Sequence, residues 1–203
     1  MIRFFDLLIS FLGLILFSPI LVIASLLIII DSKLPVLYKQ SRVGLLNRDF
    51  ELYKFRTMKV NSGNNSFLTS DPEANRITSA GKVLRKFKID ELPQLWNVLK
   101  GDMSFVGPRP ELRKYVNLYT EQQKEILKVK PGITDYATIK FINEEELLAK
   151  SDNPEKLYIN KILPEKILLN RLYLNNIKVT EYFKIIFLTI YYIIRQRQGE
   201  TKP

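Results

Sequence analysis

The strongest constraint on this chain is a run of 24 uncharged residues, Leu7 to Ile30, broken at its middle by Ser18-Pro19. As a helix the run would be about 36 Å long, enough to cross a hydrocarbon core of about 30 Å. It is too long for a secretory leader, and no small-residue cleavage site follows. Pro19 removes a backbone hydrogen bond and crowds the carbonyl of Ile15, while Ser18 can bond back into the preceding turn. A single kinked span and a pair of arms that enter and leave on one face are both compatible with this pattern. The cations that follow (Lys33, Lys39, Arg42 and Arg48) put the rest of the chain on the cytoplasmic side.

The chain has 203 residues, with no histidine and no cysteine. That excludes histidine triads, HExxH metal sites and thiolate chemistry, leaving Asp, Glu, Lys, Tyr, Ser and Thr. A net charge of +10 suits nucleic acid, an anionic membrane surface or a phosphorylated small molecule. The pattern predicts a mostly helical α+β protein with a membrane anchor over 1–32 and one further domain over 33–203, which the resemblance given below makes the catalytic domain. Pro35–Gln40 and Asp49–Phe55 read as a small β-hairpin, and Asn61 to Pro72 as a polar loop. Helices are predicted over Thr78 to Lys88, Leu112 to Val129 and Glu144 to Lys150, the last with an exposed glutamate turn. A further helix runs over Lys156 to Asn175, interrupted near Pro164. Glu181 to Ile194 reads as an amphipathic helix packed on the core or lying at the membrane interface.

The stretch from Lys88 to Glu111 concentrates the chemistry. Leu92, Leu95, Trp96 and Leu99 fall on one face of a predicted helix, with Asp90 at its N-cap and Glu91 in its first turn. A helix N-terminus favours an ionised carboxylate at Asp90. Arg109 stands between two prolines that pre-set the backbone, which suits bidentate phosphate binding. Lys54, Arg56 and Arg85 add cations in the neighbouring sequence. Carboxylates beside a bound phosphate call for a divalent cation, and magnesium held by Asp90 and phosphate oxygens is the usual solution. These residues point to an enzyme acting on a phosphorylated or diphosphate substrate at a membrane. A non-catalytic basic module binding anionic lipid or nucleic acid, and a bare structural anchor, are the alternatives.

Five segments occur in order: Tyr53-Lys-Phe-Arg-Thr-Met58, Arg76-Ile-Thr78, Gly81-Lys-Val-Leu-Arg85, Asp90 through Glu111, and Pro131-Gly-Ile-Thr134. Together they closely resemble the bacterial sugar transferases, the monotopic phosphoglycosyl transferases of the undecaprenyl-phosphate pathway, in their minimal catalytic form. The resemblance implies a re-entrant membrane helix broken at Ser18-Pro19. It implies that Asp90 attacks the β-phosphate of a UDP-sugar with Glu91 as its partner, releasing UMP and leaving a covalent phosphosugar. Undecaprenyl phosphate in the inner leaflet of the cytoplasmic membrane then accepts the sugar phosphate, in a reaction that needs Mg2+. Arg109 and Arg85 match the phosphate-binding positions, and Lys54, Arg56 and Gln94 are carried as substrate-binding residues. No nucleic acid is expected, and later glycosyltransferases would take the product. The chain departs from the family pattern at Lys88, at Asp135 to Thr138 and at Asn170, which leaves the sugar open.

Overall fold

The computed structural model describes residues 1–59 and 76–197; the predicted loop at Asn61 to Pro72 lies outside them. The apolar run forms two helices, α1 (Ile2–Leu16) and α2 (Ser18–Ser32), bent by 59° at Phe17. Ser18 Oγ donates to the Ile15 carbonyl at 2.7 Å, the group that Pro19 leaves without its helical partner. No single helix among the described residues is long and apolar enough to cross a membrane, but the bent pair has that length and composition. Large apolar side chains such as Phe4, Leu16, Val22 and Ile30 are exposed along both arms.

Both ends of the pair are fastened to the remainder of the protein. At the start, Arg3 donates to the carbonyls of Val98 and Leu99 (2.6 and 2.9 Å). Asp6 is 2 % exposed and accepts from Ser104 Oγ, the Phe105 amide and the Tyr182 hydroxyl. At the far end, Asp31 accepts from the Ala80 amide, while Ala24 and Ile28 pack with Phe55 and Leu84. Three donors converge on Asp6 Oδ1, and these hydrogen bonds offset the cost of burying the carboxyl group.

The predicted hairpin is present. Strands β1 (Leu37–Val43) and β2 (Asp49–Phe55) pair antiparallel, from Leu37 opposite Phe55 to Val43 opposite Asp49. Helix α3 (Ser79–Lys86) follows, with Thr78 Oγ1 accepting from the Gly81 amide as its cap. The basic helix stops there, because Lys88 takes a left-handed conformation (φ 57°). Ile89–Glu91 is a 3-10 turn, and α4 spans Gln94–Lys100. Asp90 is therefore not the N-cap of α4 but lies one turn ahead of it. The predicted buried face is also corrected: Gln94, Leu95, Asn97 and Val98 turn inward, whereas Trp96 is 53 % exposed. Asn97 decides this. Its side chain accepts from the Tyr53 amide and donates to the Glu51 carbonyl, locking α4 against the edge of β2.

Two short strands that the periodicity did not reveal, β3 (Ser104–Val106) and β4 (Gly132–Thr134), pair in parallel. Between them the predicted helix over Leu112 to Val129 is split into α5 (Arg113–Val116) and a 3-10 segment, Gln123–Lys128. Thr120 and Gln123 bond each other's backbone amides and start the second segment afresh. The C-terminal half comprises α6 (Tyr136–Lys140), α7 (Glu144–Ala149), α8 (Pro154–Leu157), α9 (Leu163–Leu174) and α10 (Val179–Arg197). A π-helical stretch, Tyr158–Ile162, joins α8 to α9 just before Pro164, where the interruption was predicted. Val43, Tyr115, Val116, Ile126, Tyr158 and Ile167 form one core, and Val106, Ile139, Tyr173, Tyr182 and Ile185 a second. The architecture is a mostly helical α+β protein with an antiparallel hairpin and a parallel strand pair.

Candidate active site

The turn at Lys88–Glu91 sits between β2 and α3, and this brings residues far apart in sequence onto one carboxylate. Lys54, from β2, donates to Glu91 Oε1 at 2.9 Å. Arg109 grips the same side chain with both terminal nitrogens, at 2.5 Å to Oε1 and 3.3 Å to Oε2. Burial pushes the Glu91 carboxyl up, but the charges and hydrogen bonds of Arg109 and Lys54 outweigh it and hold the group well below the ordinary glutamate range. Glu91 in return raises Arg109, which stays a cation throughout.

Asp90 has the opposite character. It is 8 % exposed, and its Oδ1 has no hydrogen-bond partner among the described residues. Burial, and then the neighbouring Glu91, push its pKa up, while Lys54, Lys88 and Arg85 pull it down. The net shift is upward. The expectation of a helix terminus stabilising the ionised form does not hold, since α4 begins only at Gln94. Two adjacent carboxylates are thus driven apart, one firmly ionised and clamped, the other desolvated, unsatisfied and closer to neutral pH. Such divergence between neighbouring carboxyls makes this pair the candidate reacting centre.

Arg109 is pre-set by more than its prolines. Its own amide donates to Asp135 Oδ2 at 3.1 Å, and the buried Asp135 also caps α6 through the Thr138 amide. Sequence reasoning assigned Asp135 no such role; the available signal was an aspartate at the start of a short helix, where it can cap the amide three residues on. Arg85 donates through Nε to Thr57 Oγ1 at 3.0 Å. Arg56 is not at the site. It is 7 % exposed and donates to the Ser32 carbonyl, Ser32 Oγ and the Lys33 carbonyl, closing the C-terminal end of α2. Gln94 is buried inside α4, with its Nε2 unpartnered among the described residues.

A cleft of about 930 Å3 meets this arrangement at Arg85, Glu91, Arg109 and Asp135, with Asp90 and Lys54 set behind its lining. Arg85, Lys86, Lys88, Glu91 and Arg109 line one part, and residues of α6, α7, α9 and α10 contribute another wall. Glu144 faces this cleft instead of joining an exposed glutamate turn, because Lys166 Nζ reaches its Oε2 at 2.6 Å. Phe17, at the bend of the apolar pair, also borders the cleft.

Fold and site together define a protein with an apolar, bent helix pair and, in the domain to which that pair is tied, an aspartate–glutamate pair with Lys54, Arg85, Lys88 and Arg109 around it. The chain belongs to the bacterial sugar transferase family, whose model matches residues 1–196. It is 43 % identical over 140 residues to the UDP-N-acetylgalactosamine-undecaprenyl-phosphate N-acetylgalactosaminephosphotransferase of Aeromonas hydrophila, covering 68 % of this chain and 33 % of that protein. It is 53 % identical over 105 residues to an uncharacterised Bacillus subtilis sugar transferase, EpsL, covering 52 % of this chain and 51 % of the relative. A third relative, the UDP-glucose:undecaprenyl-phosphate glucose-1-phosphate transferase of Klebsiella pneumoniae, is 35 % identical over 196 residues, 93 % of this chain and 39 % of its own length. The chain thus spans between a third and a half of the length of these relatives.

Proposed function

We propose that this protein transfers a sugar 1-phosphate from a UDP-sugar to undecaprenyl phosphate at the cytoplasmic face of the membrane. The observation that carries the reading is the pairing of Arg109 and Lys54 on Glu91 beside the unsatisfied, desolvated Asp90. A diphosphate entering the cleft offers Arg109 and Lys54 stronger anionic partners than one carboxylate. Arg109 and Lys54 then hold phosphate oxygens, and Glu91 is released to act on protons or orient Asp90. The ionised Asp90 attacks the β-phosphorus, the bond to the α-phosphate bridge breaks, and UMP leaves with the electron pair. An oxygen of undecaprenyl phosphate next attacks the same phosphorus, freeing the aspartate and giving the polyprenyl diphosphate sugar.

The residues fit a divalent cation such as Mg2+. Asp90 Oδ1 is an open acceptor, both Glu91 oxygens are engaged, and the described residues contain no cluster of three acidic ligands. Asp90 would hold the ion together with substrate phosphates, the arrangement magnesium favours, and the ion would neutralise charge at the phosphates.

Two facts support a re-entrant pair rather than a crossing one. The start of α1, through Arg3 and Asp6, and the end of α2, through Asp31 and Ser32, both bind the same domain. A crossing pair would leave those charged ends on opposite sides of about 30 Å of hydrocarbon. Lys54 and Arg109 point inward at Glu91, which disfavours a surface that merely binds anionic polymers.

The test incubates the detergent-solubilised protein with a panel of radiolabelled UDP-sugars and no acceptor. Covalent label at Asp90 with release of UMP is expected, and loss of both in Asp90→Asn. Release of UDP, or no label from any donor with folded protein, would falsify the covalent scheme.

A further inference from the structure

We infer that the wall of the cleft formed by Thr138, Asn170 and the Lys166–Glu144 pair recognises the sugar of the donor; this rests on the transfer reaction proposed above. At about 930 Å3 the cleft lies at the upper end of small-molecule sites and is far larger than a pair of phosphates requires. Its cationic part, with Arg85, Lys86, Lys88 and Arg109, suits those phosphates. The wall contributed by α6, α7 and α9 has different chemistry.

Asn170 is 5 % exposed and lines the cleft, yet its Oδ1 has no hydrogen-bond partner among the described residues. The same holds for Thr138 Oγ1. Buried polar atoms without partners are uncommon and costly, and with the Tyr115 hydroxyl this cleft lining holds three among the described residues, which points to a partner that arrives from outside the chain. One turn before Asn170 on α9 stands Lys166, 8 % exposed, with its Nζ 2.6 Å from Glu144 Oε2, 3.4 Å from the Tyr158 hydroxyl and 3.8 Å from Glu111 Oε1. Two carboxylates face this one cation, and Glu145 and Glu146 border the cleft beside them, so the wall is net anionic and does not attract a phosphate. Asn170 Oδ1 can only accept, so its partner must donate. A phosphate diester has no donor to offer, and a nucleobase wants a flat apolar face for stacking. A sugar presents hydroxyl or acetamido donors at several edges and fits a wall of separated acceptors.

The experiment measures UMP release by the full chain in detergent across a panel of UDP-sugars, for the wild type, Asn170→Leu and the near-isosteric Thr138→Val. UMP, which lacks the sugar, serves as competitive inhibitor. Asn170→Leu is expected to lower kcat/KM for the preferred donor about tenfold or more, as loss of a substrate hydrogen bond does, and to flatten the donor ranking. Thr138→Val should act in the same direction more weakly, and the inhibition constant of UMP should stay within about twofold. Weaker UMP binding in parallel with the donor would assign the wall to the nucleoside and overturn the proposal. So would an unchanged donor ranking in both variants. If the wild type releases UMP from no donor, the transfer reaction itself fails, and this assignment falls with it.

Discussion

Replacing Asp90, the nucleophile in the proposed reaction, should stabilise the protein. Asp90 is 8 % exposed, and its Oδ1 is unsatisfied among the described residues. A buried polar group left without a partner costs about 1–3 kcal/mol, more when charged. Lys54, Lys88 and Arg85 offset part of that. Asp90→Asn keeps the shape and removes the charge, so a gain of about 1–2 kcal/mol is expected, at about 2–4 °C in Tm for each kcal/mol in a chain of this size. The sign follows from the raised pKa. The folded state binds the Asp90 proton more tightly than the unfolded chain, so stability falls as pH rises from the ordinary aspartate value through the raised one. Wild type and Asp90→Asn should therefore differ most above that window and converge below it. Thermal unfolding in detergent micelles at about pH 8 and about pH 4 measures both, alongside loss of covalent labelling in the variant. A variant that is no more stable at the higher pH, or a gap that widens on acidification, refutes the reasoning.

The clamp on Glu91 behaves in the opposite way. Arg109→Met should cost about 2–3 kcal/mol because Glu91 keeps only Lys54, and the double variant with Glu91→Leu should recover at least about 1.5 kcal/mol of coupling in denaturant unfolding. Coupling under about 0.5 kcal/mol would sink the claim. Since Glu91 is held well below its usual range, its stabilising contribution is present at neutral pH and is lost only as pH falls through that lowered value. Arg56→Met removes three bonds of 2.7, 2.8 and 2.7 Å at the end of α2 and should lower stability by about 2 kcal/mol while leaving KM unchanged; a raised KM with unchanged stability would place Arg56 at the substrate instead. Gly132→Ala should destabilise by about 1–3 kcal/mol, because a Cβ there would stand 2.2 Å from the Gly107 amide nitrogen across the parallel strands; an unfolding midpoint equal to wild type contradicts this.

The local chemistry of the sequence determined the apolar pair and its break, because Pro19 removes a hydrogen bond wherever the helix ends up and Ser18 is placed to replace it. It likewise determined the hairpin, through alternating side chains on either side of a polar turn. It also singled out Asp90, Glu91 and Arg109, whose chemistry is unusual for their surroundings. What it could not decide was which face of each element meets a partner. Leu92, Leu95, Trp96 and Leu99 make a convincing stripe, yet Asn97 pairs with the backbone of β2 and turns Trp96 outward. Arg56 reads as a phosphate ligand and is used to close α2; Glu144 reads as exposed and is drawn in by Lys166. Asp135 stands out in the sequence only as a departure from the family pattern and holds the backbone of Arg109. Each of these outcomes depends on a bond between residues some 20 or more positions apart. Periodicity and propensity report only the few residues on either side, so the carboxylates were legible in the sequence, and the fold alone set their opposite pKa values.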